Sequence, residues 1–199
     1  MSEKIPAGQA KKMKILLEDV YKKVVTFLNN GKYKYLIIGG IAAGTIGEPR
    51  ITADVDVDII LSREDVPVFL DKVKEAGFKV IKARCLDSAE RAGVFQINYE
   101  EFHIDFIIAS TELEKEAFER AKTLKLYGIK AFFPSPEDLI LLKIIPGRDK
   151  DLLDAKSIVL RHKGKLDTRY LKTWAMKLCD EAQDIRILNT LKDLLKDRR

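Results

Sequence analysis

The sequence predicts an α/β (α+β) fold in which a mixed β-sheet with flanking helices occupies residues 1–134 and a helical region follows over 135–199. Three observations carry this expectation. In "RITADVDVDII", residues 50–60, polar and apolar residues alternate with the period of two that a strand shows. In "VFQINYEEFHIDFII", residues 94–108, two strand-like runs meet at Glu100 and Glu101; strands joined so tightly are antiparallel, so the sheet is not purely parallel. From residue 135 the texture turns helical, with no low-complexity linker before it.

Taken in order, residues 10–30 set Met13, Leu16, Leu17, Val20, Val24, Phe27 and Leu28 at helical spacing and stop at Gly31. "YKYLIIGG" reads as a short buried strand ending in two glycines, and "IAAGTIGEPR" as a short helix of small residues running into a loop closed by Pro49. After the acidic strand, "SREDVPVFLDKVKEAG" carries a capping pattern from Ser62 to Asp65 and a stop at Gly77, which predicts a helix. Further strands are expected at 78–83, 93–99 and 102–109. In "SPEDLILLKII" Ser135 is the N-cap, Pro136 takes the first helical position and Asp138 completes the cap. Helices are then expected over 148–162, 166–180 and 182–197.

Composition narrows the class. At 199 residues and 46% hydrophobic content the chain is long enough to bury a sizeable core. It holds no run of 18 apolar residues, and "MSEKIPAGQAKKMK" lacks the apolar segment of a signal peptide, so a cytoplasmic protein without a membrane partner is expected. Cys85 and Cys179 are isolated and only two histidines are present, which argues against a disulfide framework and against zinc. The net charge of +5 sits in the tail: residues 161–199 hold eleven Lys or Arg against six Asp or Glu, while residues 1–160 hold 25 of each. A solvated helix face explains that excess more readily than a nucleic-acid footprint. Abundant Lys, Glu and Ile with three Gln and four Asn suits a thermophile.

The acidic strand is the feature that needs explaining. Asp54, Asp56 and Asp58 share one strand face, and burying them unpaired costs several kcal/mol each. A hard divalent cation removes that cost, because Mg²⁺ takes oxygen ligands and is commonly held by one or two carboxylates plus substrate phosphates. An exposed edge strand with its aspartates in water is the ordinary alternative. Against it stands Gly39-Gly40 upstream, where a strand feeds a short helix: glycines admit a phosphate to the backbone, and the helix start offers free N–H groups.

An apolar strand, Gly-Gly, a short helix and then "R-x-T-x-D-h-D-h" together resemble the polymerase-β-type nucleotidyltransferase superfamily, at Gly39, Gly40, Arg50, Thr52, Asp54 and Asp56. The resemblance implies that the glycines meet a triphosphate and that the Asp pair binds metal, with a third carboxylate from a neighbouring strand. "FHIDFII" supplies that carboxylate as Asp105, and Asp58 is left as an extra member. A second stretch, "SPEDLILLKIIPGRDKDLLDA" at 135–155, is similar to the segment after the catalytic domain in small prokaryotic nucleotidyltransferases related to abortive-infection toxins of type IV toxin–antitoxin systems. The matching positions are Lys143, Arg148, Asp151 and Asp154, and the family gives such a Lys and a following Asp, here assigned to Asp151, roles at the nucleotide site. Together the two motifs cover residues 34–160.

What this implies is transfer of an NMP from an NTP to a hydroxyl, with Mg²⁺ or Mn²⁺ held by Asp54, Asp56 and Asp105. Asp105 would also be a candidate general base, and Lys143 and Arg148 would balance triphosphate charge. The acceptor is expected to be RNA such as a tRNA end, a protein side chain or a small hydroxylated molecule. The alternatives are a nucleotide-binding module of the same fold without turnover, or one half of a toxin–antitoxin pair. His103, Thr45, and the pair Tyr170 and Trp174 are read as packing or surface residues.

Overall fold

The computed structural model describes residues 16–196, so Met13 and the rest of the expected first helix before position 16, and residues 197–199, lie outside the described residues. Helix α1, Leu17–Asn30, is followed by strand β1, Tyr35–Ile37, helix α2, Gly39–Ile46, and strand β2, Val55–Ile59. A single 3-10 turn at Arg63–Asp65 leads into α3, Val66–Glu75, and then α4, Lys82–Ala92. The hairpin of β3, Val94–Tyr99, and β4, Phe102–Ile108, is followed by α5, Glu112–Glu119, and a second hairpin of β5, Lys122–Leu126, and β6, Ile129–Phe133. Four helices end the described chain: α6, Pro136–Ile144, α7, Asp149–Arg161, α8, Thr168–Ala182, and α9, Arg186–Lys196.

The main sheet is mixed, as the first hairpin requires. Its order is β1-β2-β4-β3, with β2 and β4 parallel and the outer pairings antiparallel, while β5 and β6 form a separate two-stranded sheet. Val55, Val57 and Ile59 leave β2 on one face, where Phe69, Phe95 and Phe106 pack in ring contacts 5.1–5.8 Å apart. The aspartates leave on the other face, beside α2, which packs on β2 and in turn meets α6 and α7. Core residues from α1 through α9 join one hydrophobic cluster.

Local chemistry explains most boundaries. Ser135 accepts from the Asp138 N–H at 3.2 Å and Pro136 opens α6, as expected. Ser62 likewise caps with the Asp65 N–H, but only a 3-10 turn follows before α3 begins at Val66 with Pro67 in its first turn. The two glycines belong to the first turn of α2 rather than to the end of β1. The strand expected at 78–83 is a correction: Lys79 makes an isolated bridge to Asn98, and α4 begins at Lys82 because Cys85 and Ala89, four apart, reach the core. Helix α5 and the β5–β6 hairpin were not among the expected elements.

Candidate active site

The parallel register of β2 and β4 sets Asp56 directly across from Asp105, on the same face. Asp54 precedes β2 by one residue, half-buried, close enough for its charge to act on Asp56. Burial raises the proton affinity of Asp56, and the neighbouring charges of Asp105 and Asp54 raise it further; the Gly40 N–H and the Lys143 ammonium act against them. The Gly40 N–H donates to Asp56 Oδ2 at 3.4 Å, at the start of α2 where backbone donors are free.

Gly39 and Gly40 are glycines for steric reasons. Gly39 has φ of 61°, and a Cβ there would fall 1.8 Å from Asp56 Oδ2. A Cβ on Gly40 would fall 2.5 Å from Thr52 Oγ1 and 3.1 Å from an Arg50 guanidinium nitrogen. The loop bearing Arg50 and Thr52 therefore lies against the start of α2, and the first motif is one packed unit around Asp56.

A second polar cluster adjoins it. Arg50 grips Asp154 with two hydrogen bonds, Nε to Oδ1 at 2.6 Å and a terminal nitrogen to Oδ2 at 2.9 Å. Lys143 Nζ lies 2.9 Å from both Asp151 Oδ1 and Asp154 Oδ2, and Arg148 Nε donates to Asp151 Oδ2 at 2.5 Å. Asp151 and Asp154 are buried, on the face of α7 that meets α6. Burial works against their ionisation, but hydrogen bonds from Lys143 with Arg148, and from Arg50 with Lys143, outweigh it and hold both carboxyls below the usual range. Among the described residues Lys143 is seen to spend two of its three ammonium hydrogens, and Arg148, whose side chain is 61% exposed, is seen to spend only its Nε.

Asp154, outside the expected nucleotide set, thus links Arg50 to Lys143. Asp58 is fully buried, its Oδ1 has no hydrogen-bond partner among the described residues, and burial, then Glu114, push its carboxyl up to about 8. His103 shares the Asp105 face and meets Asn98 Nδ2 at 2.6 Å; Thr45 spends its hydroxyl on the Ile41 carbonyl at 2.7 Å. Tyr170 and Trp174 pack 6.3 Å apart, and Tyr170 donates to Asp138. Cys85 and Cys179 are buried free thiols.

Among the described residues no three His, Cys, Asp or Glu side chains are gathered closely enough to hold a metal ion by themselves. The donor set still fits a hard divalent cation: the facing groups are carboxylates, and partly buried Asp56 has its charge raised in energy by desolvation and by two like neighbours. Among the described residues no helix is long and apolar enough to cross a membrane.

Comparison with known proteins bears on the family and the fold. A family model described as "Nucleotidyltransferase of unknown function (DUF6036)" matches residues 12–196. The crystal structure of the lincosamide antibiotic adenylyltransferase LnuA, lincomycin-bound, is similar with a TM-score of 0.51 and 13% identity, over 72% of this chain and 96% of that one. An antigenic nucleotidyltransferase-like protein from Paracoccidioides brasiliensis gives 0.52 and 20% over 90% and 92%. At such identities the two structures speak to the fold alone. No curated protein matches.

Proposed function

Because the chain belongs to the family of nucleotidyltransferases of unknown function (DUF6036), we propose that it moves a nucleoside monophosphate from an NTP to a hydroxyl acceptor, dependent on a divalent metal ion. The observation that carries this reading is the register pairing of Asp56 with Asp105 beneath a helix start whose glycine has room for nothing but Asp56. Asp54, Asp56 and Asp105 would hold Mg²⁺ or Mn²⁺, which when bound neutralises triphosphate charge and favours ionisation of the attacking hydroxyl.

The remaining roles belong to the chain itself. Free N–H groups at the start of α2, with Thr52 beside them, receive phosphate oxygens. Lys143 contributes its third ammonium hydrogen to the same phosphates and Arg148 its terminal nitrogens, both oriented by Asp151. Asp154 fixes the guanidinium of Arg50 next to the glycines. The acceptor oxygen attacks the α-phosphorus in line, its proton passes to Asp105, and the bond to the β-phosphate breaks to release pyrophosphate. The acceptor class is RNA, protein or a small hydroxylated molecule; the name of the lincosamide adenylyltransferase is a reason to include the last in a screen.

Incubation with labelled NTPs and Mg²⁺ or Mn²⁺, in the presence of total RNA, total protein and hydroxylated small molecules, tests the proposal. Transfer that requires metal and disappears in Asp56→Ala supports it. Absence of nucleotide binding under every metal condition overturns it. A binding module without turnover would retain nucleotide yet label nothing, and a toxin–antitoxin role would show as a partner gene beside this one.

A further inference from the structure

One residue across the sheet from Asp105 lies outside every motif. Gln96 on β3 pairs in register with Asp105 on β4, and its Nε2 donates to Asp105 Oδ1 at 2.7 Å. Its backbone is firmly held. Phe95 and Ile97 on either side are buried, with Phe95 stacked on Phe106 at 5.1 Å and 12°, so alternation turns Gln96 to the carboxylate face. The Cys85 thiol donates to the Gln96 carbonyl at 3.2 Å, and Asn98 exchanges backbone hydrogen bonds of 2.8 and 3.0 Å with Lys79.

We propose that Gln96 is a positioning residue that fixes the Asp105 carboxylate for metal binding, a role that rests on the nucleotidyl-transfer reading above. An ionised carboxylate only accepts hydrogen bonds, so the Gln96 amide must present its NH₂ group to it. With Oδ1 held, rotation of the carboxylate is stopped and Oδ2 is left for the face shared with Asp56. A partner that orients a ligand without touching the metal typically sets affinity by about 10–100-fold. Gln96 is exposed, so its contribution to folding is small and separable from this role. The neighbouring rung offers a control, because Asn98 makes a similar amide contact to His103 rather than to a carboxylate.

Mn²⁺ binding, followed by the paramagnetic resonance of the free ion with and without ATP, tests the assignment alongside the thermal midpoint of each variant. Gln96→Met, which keeps the length and removes the donor, is expected to weaken Mn²⁺ binding by roughly tenfold or more with an unchanged midpoint. Asn98→Ala is expected to leave it unchanged. Wild-type affinity in Gln96→Met, or a loss in Asn98→Ala as large as in Gln96→Met, overturns the positioning role while the proposed activity stands. A wild-type protein that retains no Mn²⁺ even with ATP overturns both.

Discussion

On α6 and α7 each buried carboxylate has its cations: Asp151 meets Lys143 and Arg148, and Asp154 meets Arg50 and Lys143. On β2 and β4, a short distance away, carboxylates face carboxylates, and the Lys143 and Arg50 cations that act on Asp56 are already engaged by the helix carboxylates. The first group is a finished ion-pair network whose members ionise more easily than usual. The second is an unfinished one in which burial and like charge raise the proton affinity of Asp56. The difference teaches that the helix group is already neutralised within the chain, whereas the strand group is where the proposed function would bring a positive charge from outside. Removing a carboxylate should therefore have opposite effects on stability in the two places.

The largest expected effect tests that sign directly. Asp56→Asn should lower nucleotidyl transfer by about 10²–10³-fold, on the order of removing one electrostatic stabiliser at a reacting centre, while its urea midpoint stays level or rises. A parallel fall in stability would break the comparison. Asp154→Ala should do the reverse to folding, costing roughly 3 kcal/mol by urea titration, because Lys143 and Arg50 lose their acceptor. That value is at the low end for a broken buried pair, since the Arg50 side chain reaches water.

Asp58 sharpens the comparison on the strand side, because it shares the face but belongs to no motif. Unfolded, its carboxyl gives up a proton near pH 4; folded, near pH 8. Between these values the folded form binds more protons, so stability falls as pH rises, by at most about 1.4 kcal/mol per pH unit. Asp58→Asn should flatten that fall and exceed the wild type in stability at pH 8, measured as unfolding free energy against pH. Asp151 and Asp154 contribute in the opposite direction, their stabilisation fading as pH drops into the acid range. The smallest effect is expected of Ser135→Ala, about 1 kcal/mol for a lost N-cap of α6, read as a shift in thermal midpoint with transfer activity retained.

Much of this was visible in the sequence. Alternation put Asp54, Asp56 and Asp58 on one strand face, the resemblance to a known family pointed to Asp105 on a neighbouring strand, and the glycines stood out because few other residues tolerate such a junction. Gln96 was within reach too: a turn at Glu100 and Glu101 makes the numbers of paired residues sum to a constant, which puts 96 opposite 105. The strand expected at 78–83 failed because the β-propensity of Val80 and Ile81 was outweighed by the helical stripe of Cys85 and Ala89. Burial of Asp58 and the bridging role of Asp154 were illegible, since both depend on how α2, α5, α6 and α7 pack against one another.

Gly39 also shapes how this protein can change over generations. Every single-base missense change of a glycine codon introduces a Cβ, and the space it would need belongs to the Asp56 carboxylate. Glycine and aspartate, 17 positions apart in the chain, therefore form one heritable unit. Any replacement of the first requires the second to move, so a substitution at Gly39 is expected to reach the Asp56 carboxylate as well.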